Sequence, residues 1–407
     1  MKILILSHTF PPEPGSASAR MFELAEYLVN RNHKVSVITG FPNYPRGVIY
    51  QGYKNKLYQR EKIQGINVTR TFIYITTRRA KFLPRLLNYA SFMISSVYGA
   101  LLAGKPQLIY IYSPPIFLGL SAYVIGKLFK SPFVIEVNDL WPEAPIALGM
   151  IKNKYLINLS KKLEKFIYKK AHKIFFYSHI MRRYVINLGI NRGKTEIHPL
   201  WIDTEFFKPT NSNKRILKQH QIDNKFIIMY AGNIGKAQGL EHLIDCAKLL
   251  HKINKMEFVI IGDGIERNEL IKKSENYKLD NIKFINQQPK EKIIKFLSAA
   301  DVLFLHLNKA PHRLGTIPAK ILTYMSMGKP ILAALDGEAA ELINNHQCGI
   351  KVEPENPQAI AKGILALYKN EALRNELGEN ARHCAIYYYS KSKLLSELET
   401  SLQKLAN

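Results

Sequence analysis

The sequence predicts an α/β protein built from two Rossmann-like domains that face each other across a cleft. Three observations predict it. Short apolar runs alternate with helical patterns along the whole chain, as parallel α/β layers do. Each half opens on the same unit: a strand, a loop rich in glycine, and a helix. The 407 residues exceed what one compact core holds and suit two domains of about 200 residues each.

In the first half the apolar runs place strands near 2–7, 33–39, 107–112, 132–138 and 173–178. In the second half they fall near 226–231, 257–261, 282–286, 301–305, 329–333 and 348–352. Helical spacing of apolar residues marks 20–30, 116–129, 239–252, 290–299 and 358–369. The opening strand Lys2–Leu6 runs into the loop Pro11-Pro12-Glu13-Pro14-Gly15-Ser16 and then a helix from Arg20. The strand Phe226–Tyr230 runs into Gly232-Asn233-Ile234-Gly235-Lys236 and then a helix from Leu240. Such a loop lets backbone N–H groups approach a phosphate at the positive end of the helix. Two prolines, Pro199 and Pro209, bracket the break. The expected division is residues 1–200, a linker at 201–209, a second domain at 210–385, and a C-terminal helix, 386–407, returning to the first domain.

Composition excludes some classes and leaves others. A chain that is 47% hydrophobic and 22% charged folds rather than staying disordered. Cys246, Cys348 and Cys384 are odd in number and far apart, which argues against a disulfide framework or zinc site and fits a reducing cytoplasm. Met1-Lys2 leads directly into a buried strand, not a signal peptide. The formal charge is +26, and residues 1–200 carry +20 of it, with 29 basic residues against 9 acidic. That face is expected to meet a polyanion: nucleic acid, anionic lipid or diphosphate.

Several stretches then carry a family likeness. They are FPPEPGSASAR (10–20), NHKVSV (32–37), FPNYPRG (41–47), EVNDLWPE (136–143), YAGNIGKAQGLE (230–241), IIGDG (260–264), IPAKILTYMSMGKP (317–330) and DGEAAEL (336–342). In this order they resemble the retaining, GT-B-fold glycosyltransferases of family 4. The likeness extends to the bacterial branch of L-fucosamine transferases of O-antigen assembly and colanic-acid enzymes. It implies transfer of a sugar, such as N-acetyl-L-fucosamine, from a UDP-sugar bound to the C-terminal domain, with retention at the anomeric carbon. The acceptor is implied to be a saccharide linked to a polyprenyl (undecaprenyl) diphosphate, bound to the N-terminal domain. No metal or other cofactor is implied, and no Asp-x-Asp triplet is present to hold one.

A metal-free diphosphate needs cations and backbone amides. Lys236 after the glycine loop and Lys320 behind Pro318 are the expected cations, and with Asp139 they form the expected catalytic set. Asp139 ends the strand Phe133–Val137, where it is expected to accept the acceptor's proton or to orient the donor sugar. Glu143, beside Pro142, either shares such a role or is a loop carboxylate paired with a lysine. The donor set is completed by Gly15 and Ser16 in the first loop, Asn233, Gly235 and Gln238 in the second, Gly262 and Gly264, Thr323, and Glu338. Glu338 or Glu341 would take the ribose, or merely begin a solvated helix; the Gly262–Gly264 segment contacts the nucleotide or is only a turn. Compared with the wider family, Asn233 and Gln238 replace an Arg and a Lys, and Gly315 and Thr323 replace two glutamates.

The segment 78–102 joins Arg78, Arg79, Lys81 and Arg85 to an apolar run including Phe82 and Phe92. It is expected to meet an anionic membrane and the lipid-linked acceptor, placing the enzyme on the inner face of the cytoplasmic membrane. The alternative is that the stripe packs on the sheet, and this is the expectation for the lysine-rich 152–173. Two other functions stay open: a UDP-sugar epimerase of the same architecture, and a nucleic-acid binder, for which no reading motif is present.

Overall fold

The computed structural model describes residues 1–78, 82–147, 149–210, 215–222 and 225–406, with the backbone alone at Phe82. The chain divides into two compact units, Met1–Pro199 with Leu394–Asn407, and Leu200–Lys393. The connector therefore belongs to the second unit, and the return to the first begins at Leu394 rather than at 386.

The first unit is an eight-stranded sheet: β1 (Lys2–Leu6), β2 (Lys34–Gly40), β3 (Tyr58–Ile63), β4 (Ile66–Thr71), β5 (Leu108–Ser113), β6 (Phe133–Val137), β7 (Lys173–Phe176) and β8 (Thr195–Ile197). Their spatial order is β3-β4-β2-β1-β5-β6-β7-β8, parallel except for the β3–β4 pair. Ile3 to Leu6 are at most 2% exposed, because β1 lies between β2 and β5 with helices on both faces. A strand buried on both sides must be apolar throughout, which is why it was readable.

The β3–β4 hairpin was not expected. Its strand YQREKI alternates exposed with half-buried residues, so it carries no apolar run. The turn is Gln64-Gly65, with φ of 47° and 83°, the left-handed pair of a type I′ turn made without the usual Asn-Gly or Asp-Gly. β8 was too short to read.

The first helix spans Ser16–Asn30, one turn earlier than expected. Gly15 caps it at φ 118°, so Ser16 is the first helical residue and not part of the loop. The helix Phe82–Ala103 packs on β2 and β4. Asn88, Phe92, Ser95, Ser96 and Ala100 form its buried face, and Ser95 Oγ donates to the Phe72 carbonyl at 2.6 Å. Phe92 is completely buried and packs edge-on against His8. It is a core residue, which corrects its expected place on a membrane face. The helix Lys154–Lys170 is capped by Asn153, whose Oδ1 accepts from the Tyr155 and Leu156 amides. It buries Glu164, Ile167 and Tyr168, and leaves its lysines in solvent.

The second unit holds β9 (Phe226–Ala231), β10 (Met256–Ile261), β11 (Ile282–Ile285), β12 (Val302–His306), β13 (Ile331–Ala334) and β14 (Gly349–Val352). All are parallel, in the order β11-β10-β9-β12-β13-β14. The chain builds outward from β9 and then returns to its other side with β12. β1 and β5 mark the same reversal in the first unit. The carboxyl ends of strands at such a reversal are where open α/β sheets bind ligands.

Candidate active site

In the second unit the site is made by backbone before side chains. Gly232 leaves β9 at φ 147° and Gly262 leaves β10 at φ 151°. Gly232 N donates to Ile261 O at 2.9 Å, Gly262 N to Ile285 O at 3.0 Å, and Ile234 N to Asp263 O at 2.9 Å. A Cβ on Gly262 would stand 1.9 Å from the Gly232 carbonyl oxygen, and one on Gly264 2.1 Å from that of Ile234. The two loops are thus pressed together through their glycines, leaving no room for a side chain.

Beside them is a cavity of about 360 Å³. Gly232, Asn233, Gly262, Asp263, Lys320 and Thr323 line its polar part, with Gln287 and Gln288, and Phe207, Ile293 and Leu297 supply an apolar wall. Lys320, second residue of the helix Ala319–Ser326, reaches under the Gly232 loop. Its ammonium donates to the Tyr230 hydroxyl and lies 3.9 Å from the centre of that ring. Among the described residues Lys320 forms no ion pair, and loss of water contact pulls its pKa down to about 7. A cation held without a counter-charge at the edge of a cavity is a receptor for an anion.

The other donor residues expected in this unit do not line the cavity. Lys236 is exposed in the single turn Lys236–Gln238 and is not among the residues that line the cavity. Gln238 Oε1 accepts from Gly235 N at 3.2 Å and from Asn233 Nδ2 at 3.3 Å, tying the loop to itself. His306, the last residue of β12, closes that loop from below. Its Nδ1 meets Gln238 O at 2.8 Å and its Nε2 accepts from Glu355 N at 3.1 Å. These partners fix the proton on Nδ1, and burial lowers the pKa to about 4. Gly264 sits behind the loops, and Glu338 begins the helix Glu338–Asn345 after Gly337; neither reaches the cavity. Tyr230 and Tyr324 were missed because tyrosine in an apolar run reads as core. Both are buried, and Tyr324 Oη accepts from Ala231 N at 2.9 Å.

In the first unit, Asp139 follows β6 with its side chain in contact with solvent. The protein surface around it still removes enough water to raise its pKa to about 6, against the opposing charge of Arg85. Underneath, the buried Glu136 accepts from Arg20, Tyr110 and Asn138, fixing the strand end that carries Asp139. Arg85 Nε donates to Tyr89 Oη at 2.8 Å. From Tyr89 a run of rings passes through Phe117, centroids 6.2 Å apart, to Trp141, 5.0 Å further. Glu143 pairs with Lys161 at 3.1 Å and accepts from Tyr184, the loop-carboxylate option. Gly15 and Ser16 stand at the start of the first helix, just after Glu13, whose carboxylate accepts the Phe10, Asn43 and Tyr44 amides. Arg78 is exposed; Arg79, Lys81 and the Phe82 side chain lie outside the described residues.

Two family models match this chain: Glycosyltransferase Family 4 over residues 17–206 and Glycosyl transferases group 1 over 212–384. The chain belongs to the family 4 glycosyltransferases. It is an enzyme with the GT-B fold, and the epimerase alternative is not favoured. This glycosyltransferase is 27% identical over 393 residues to WcaI of Escherichia coli (strain K12), by name a colanic acid biosynthesis glycosyl transferase, covering 93% of this chain and 96% of that one. It is 24% identical, over 95% of each chain, to the N,N'-diacetylbacillosaminyl-diphospho-undecaprenol alpha-1,3-N-acetylgalactosaminyltransferase of Campylobacter jejuni. Among solved structures it resembles Alr3699/HepE of Anabaena, crystallised in complex with UDP, with a TM-score of 0.77 at 17% identity over the full length of both.

Proposed function

We propose that this glycosyltransferase takes a sugar from a UDP-sugar bound in the Lys320 cavity and transfers it, with retention, to a saccharide on a polyprenyl diphosphate during bacterial surface-polysaccharide synthesis. N-acetyl-L-fucosamine is the first sugar to try. The observation that carries the reading is the Lys320 ammonium, which forms no ion pair among the described residues, at a cavity lined by two loops that their glycines let pack in contact. The UDP complex of the Anabaena neighbour and the diphospho-undecaprenol in the Campylobacter relative's name support the donor and acceptor classes.

In this reading the bond from the anomeric carbon to the diphosphate breaks as the acceptor oxygen attacks. Lys320 and the Asn233 amide stabilise the charge that develops on the leaving diphosphate. The acceptor's proton goes to that phosphate or to Asp139. Asp139→Asn is expected to lower transfer at least tenfold, roughly 1.4 kcal/mol. If Asp139 is the base, the wild-type rate falls as pH drops through about 6, where the carboxylate protonates, and the variant has no such limb. A pH–rate profile for both proteins checks this; near-wild-type rates in the variant remove Asp139 from the chemistry.

No metal enters the reading. The membrane enters through the helix Phe82–Ala103. Leu83, Leu87, Ile94, Tyr98 and Leu101 are all more than a third exposed, and their spacing of four, seven, four and three residues puts them on one face. The opposite face is packed and hydrogen-bonded on the sheet, so the helix lies on a bilayer instead of crossing it. Arg78 and Arg85 at its start add attraction for anionic lipid.

The test is a screen of UDP-sugars against a polyprenyl-diphosphate N-acetylhexosamine, reading UDP release and product mass, with and without EDTA. The acceptor is presented in neutral and in anionic vesicles. A lengthened lipid-linked product, unaffected by EDTA and faster on anionic vesicles, is expected. A free isomerised nucleotide sugar, or activity that needs added magnesium, sinks the reading.

A further inference from the structure

Behind the residues that line the cavity, the donor cation rests on the buried Tyr230. We propose that the Tyr230 hydroxyl is the positioning group of the donor site, holding the Lys320 ammonium under the Gly232 loop in the empty enzyme and yielding it to the donor's diphosphate. This rests on reading the cavity as the diphosphate site.

Tyr230 is wholly buried in β9. Its oxygen accepts an N–H of Lys320 and donates its own proton to Asn233 O at 2.5 Å. Its ring lies beneath the ammonium, a cation–π arrangement. One side chain thus fixes both the cation and the loop that lines the cavity. The neighbouring groups offer no stronger partner. Asp263, the one carboxylate among the lining residues, has Oδ1 on the Gly264 amide at 2.8 Å. Tyr324, on the same helix as Lys320, is engaged with Ala231. Gln287 and Gln288 are neutral, and Phe207, Ile293 and Leu297 carry no charge.

A phenol is a weak acceptor compared with a phosphate oxygen. Burial keeps the Tyr230 phenol protonated by raising its pKa well above the usual range, while the amine stands near 7. At pH 8 most of the empty enzyme therefore carries Lys320 as the free amine, and a bound diphosphate draws a proton from solvent onto Nζ. No other bond changes.

The test uses an intact UDP-sugar, since the terminal phosphate of UDP itself titrates near about 6. In the wild type, kcat/KM for the donor falls about tenfold per pH unit above about 7, as the ammonium fraction does. In Tyr230→Phe the amine loses its acceptor, the charged form is less favoured, and the break moves to lower pH. The defect is then larger at pH 8 than at pH 6. Lys320→Arg, which does not titrate, loses the break near 7, and adding Tyr230→Phe to it restores none. Independently of any Tyr230 variant, calorimetry at pH 8 in buffers of different ionisation enthalpy should show uptake of nearly one proton per donor bound. Lys320→Arg should abolish it. A Tyr230→Phe enzyme that keeps the wild-type break, or wild-type binding without proton uptake at pH 8, overturns the proposal while leaving the donor assignment standing. A wild type that binds no nucleotide sugar overturns both.

Discussion

Lys320→Met is expected to lower kcat for transfer by a factor of about 100 to 1,000, or about 2.7–4 kcal/mol of transition-state stabilisation. The reason is the setting of the amine. Its ammonium has a phenol and an aromatic face for company and no carboxylate, so its charge is available to the departing diphosphate. Methionine keeps the length and the apolar stem while removing the charge. Because an ion with little hydration is costly to the folded state, the variant should melt no lower than the wild type, and even somewhat higher. Opposite signs for activity and stability mark a residue kept for chemistry. Measuring kcat and Tm on the same preparation decides it: a fall in both together would make Lys320 a structural residue.

Gly262→Ala should be nearly as severe for the opposite reason. A methyl there meets the Gly232 carbonyl oxygen at 1.9 Å, from a backbone at φ 151°, and the atom in the way is main chain that cannot rotate aside. The β9 and β10 loops must separate, which costs about 1–3 kcal/mol of packing and opens the cavity that receives the nucleotide. UDP binding should fall below detection at millimolar concentrations, with a Tm lower by several degrees. Gly52→Ala is the control, since Gly52 is also left-handed, at φ 86°, but has nothing within 4 Å. It should cost only the backbone term, about 1–2 kcal/mol, and leave UDP binding intact. Normal UDP affinity in Gly262→Ala would show that the loop contact does not shape the site.

The parts legible in the sequence were those in which one physical demand dominates a stretch. β1, β5 and β9 are buried over most of their length, so their apolar runs are easily seen, as is that of β10 after Glu257. Asp139 stood out as a charge at a strand end and Lys320 as one at a helix start, and loss of hydration pushes the first pKa up and the second down. What escaped notice is what a linear pattern does not encode. β3 lies at the edge of the sheet, where a half-polar strand costs nothing. Phe92 and Leu87 belong to one apolar stretch, yet one is buried and the other exposed, because helix rotation against β2 and β4 is set by residues far away in sequence. Lys236 follows the loop in sequence, but the turn that Gln238 stabilises leaves it in solvent. Tyr230 was concealed by its ring, which belongs to the core while its hydroxyl belongs to the site.

The return of the last helix has a consequence for how the protein is made. Leu394, Leu395, Leu398 and Leu402 are buried in the unit that begins at Met1. Glu399 there accepts from Tyr27 and from His33, the latter 366 positions earlier. On the ribosome, the half that is synthesised first waits with an uncovered apolar groove until the final residues emerge. The second half, contiguous from Leu200 to Lys393, has its whole complement of strands before then. Translation order and completion order are therefore reversed, and the domain that starts the chain is the last to be sealed.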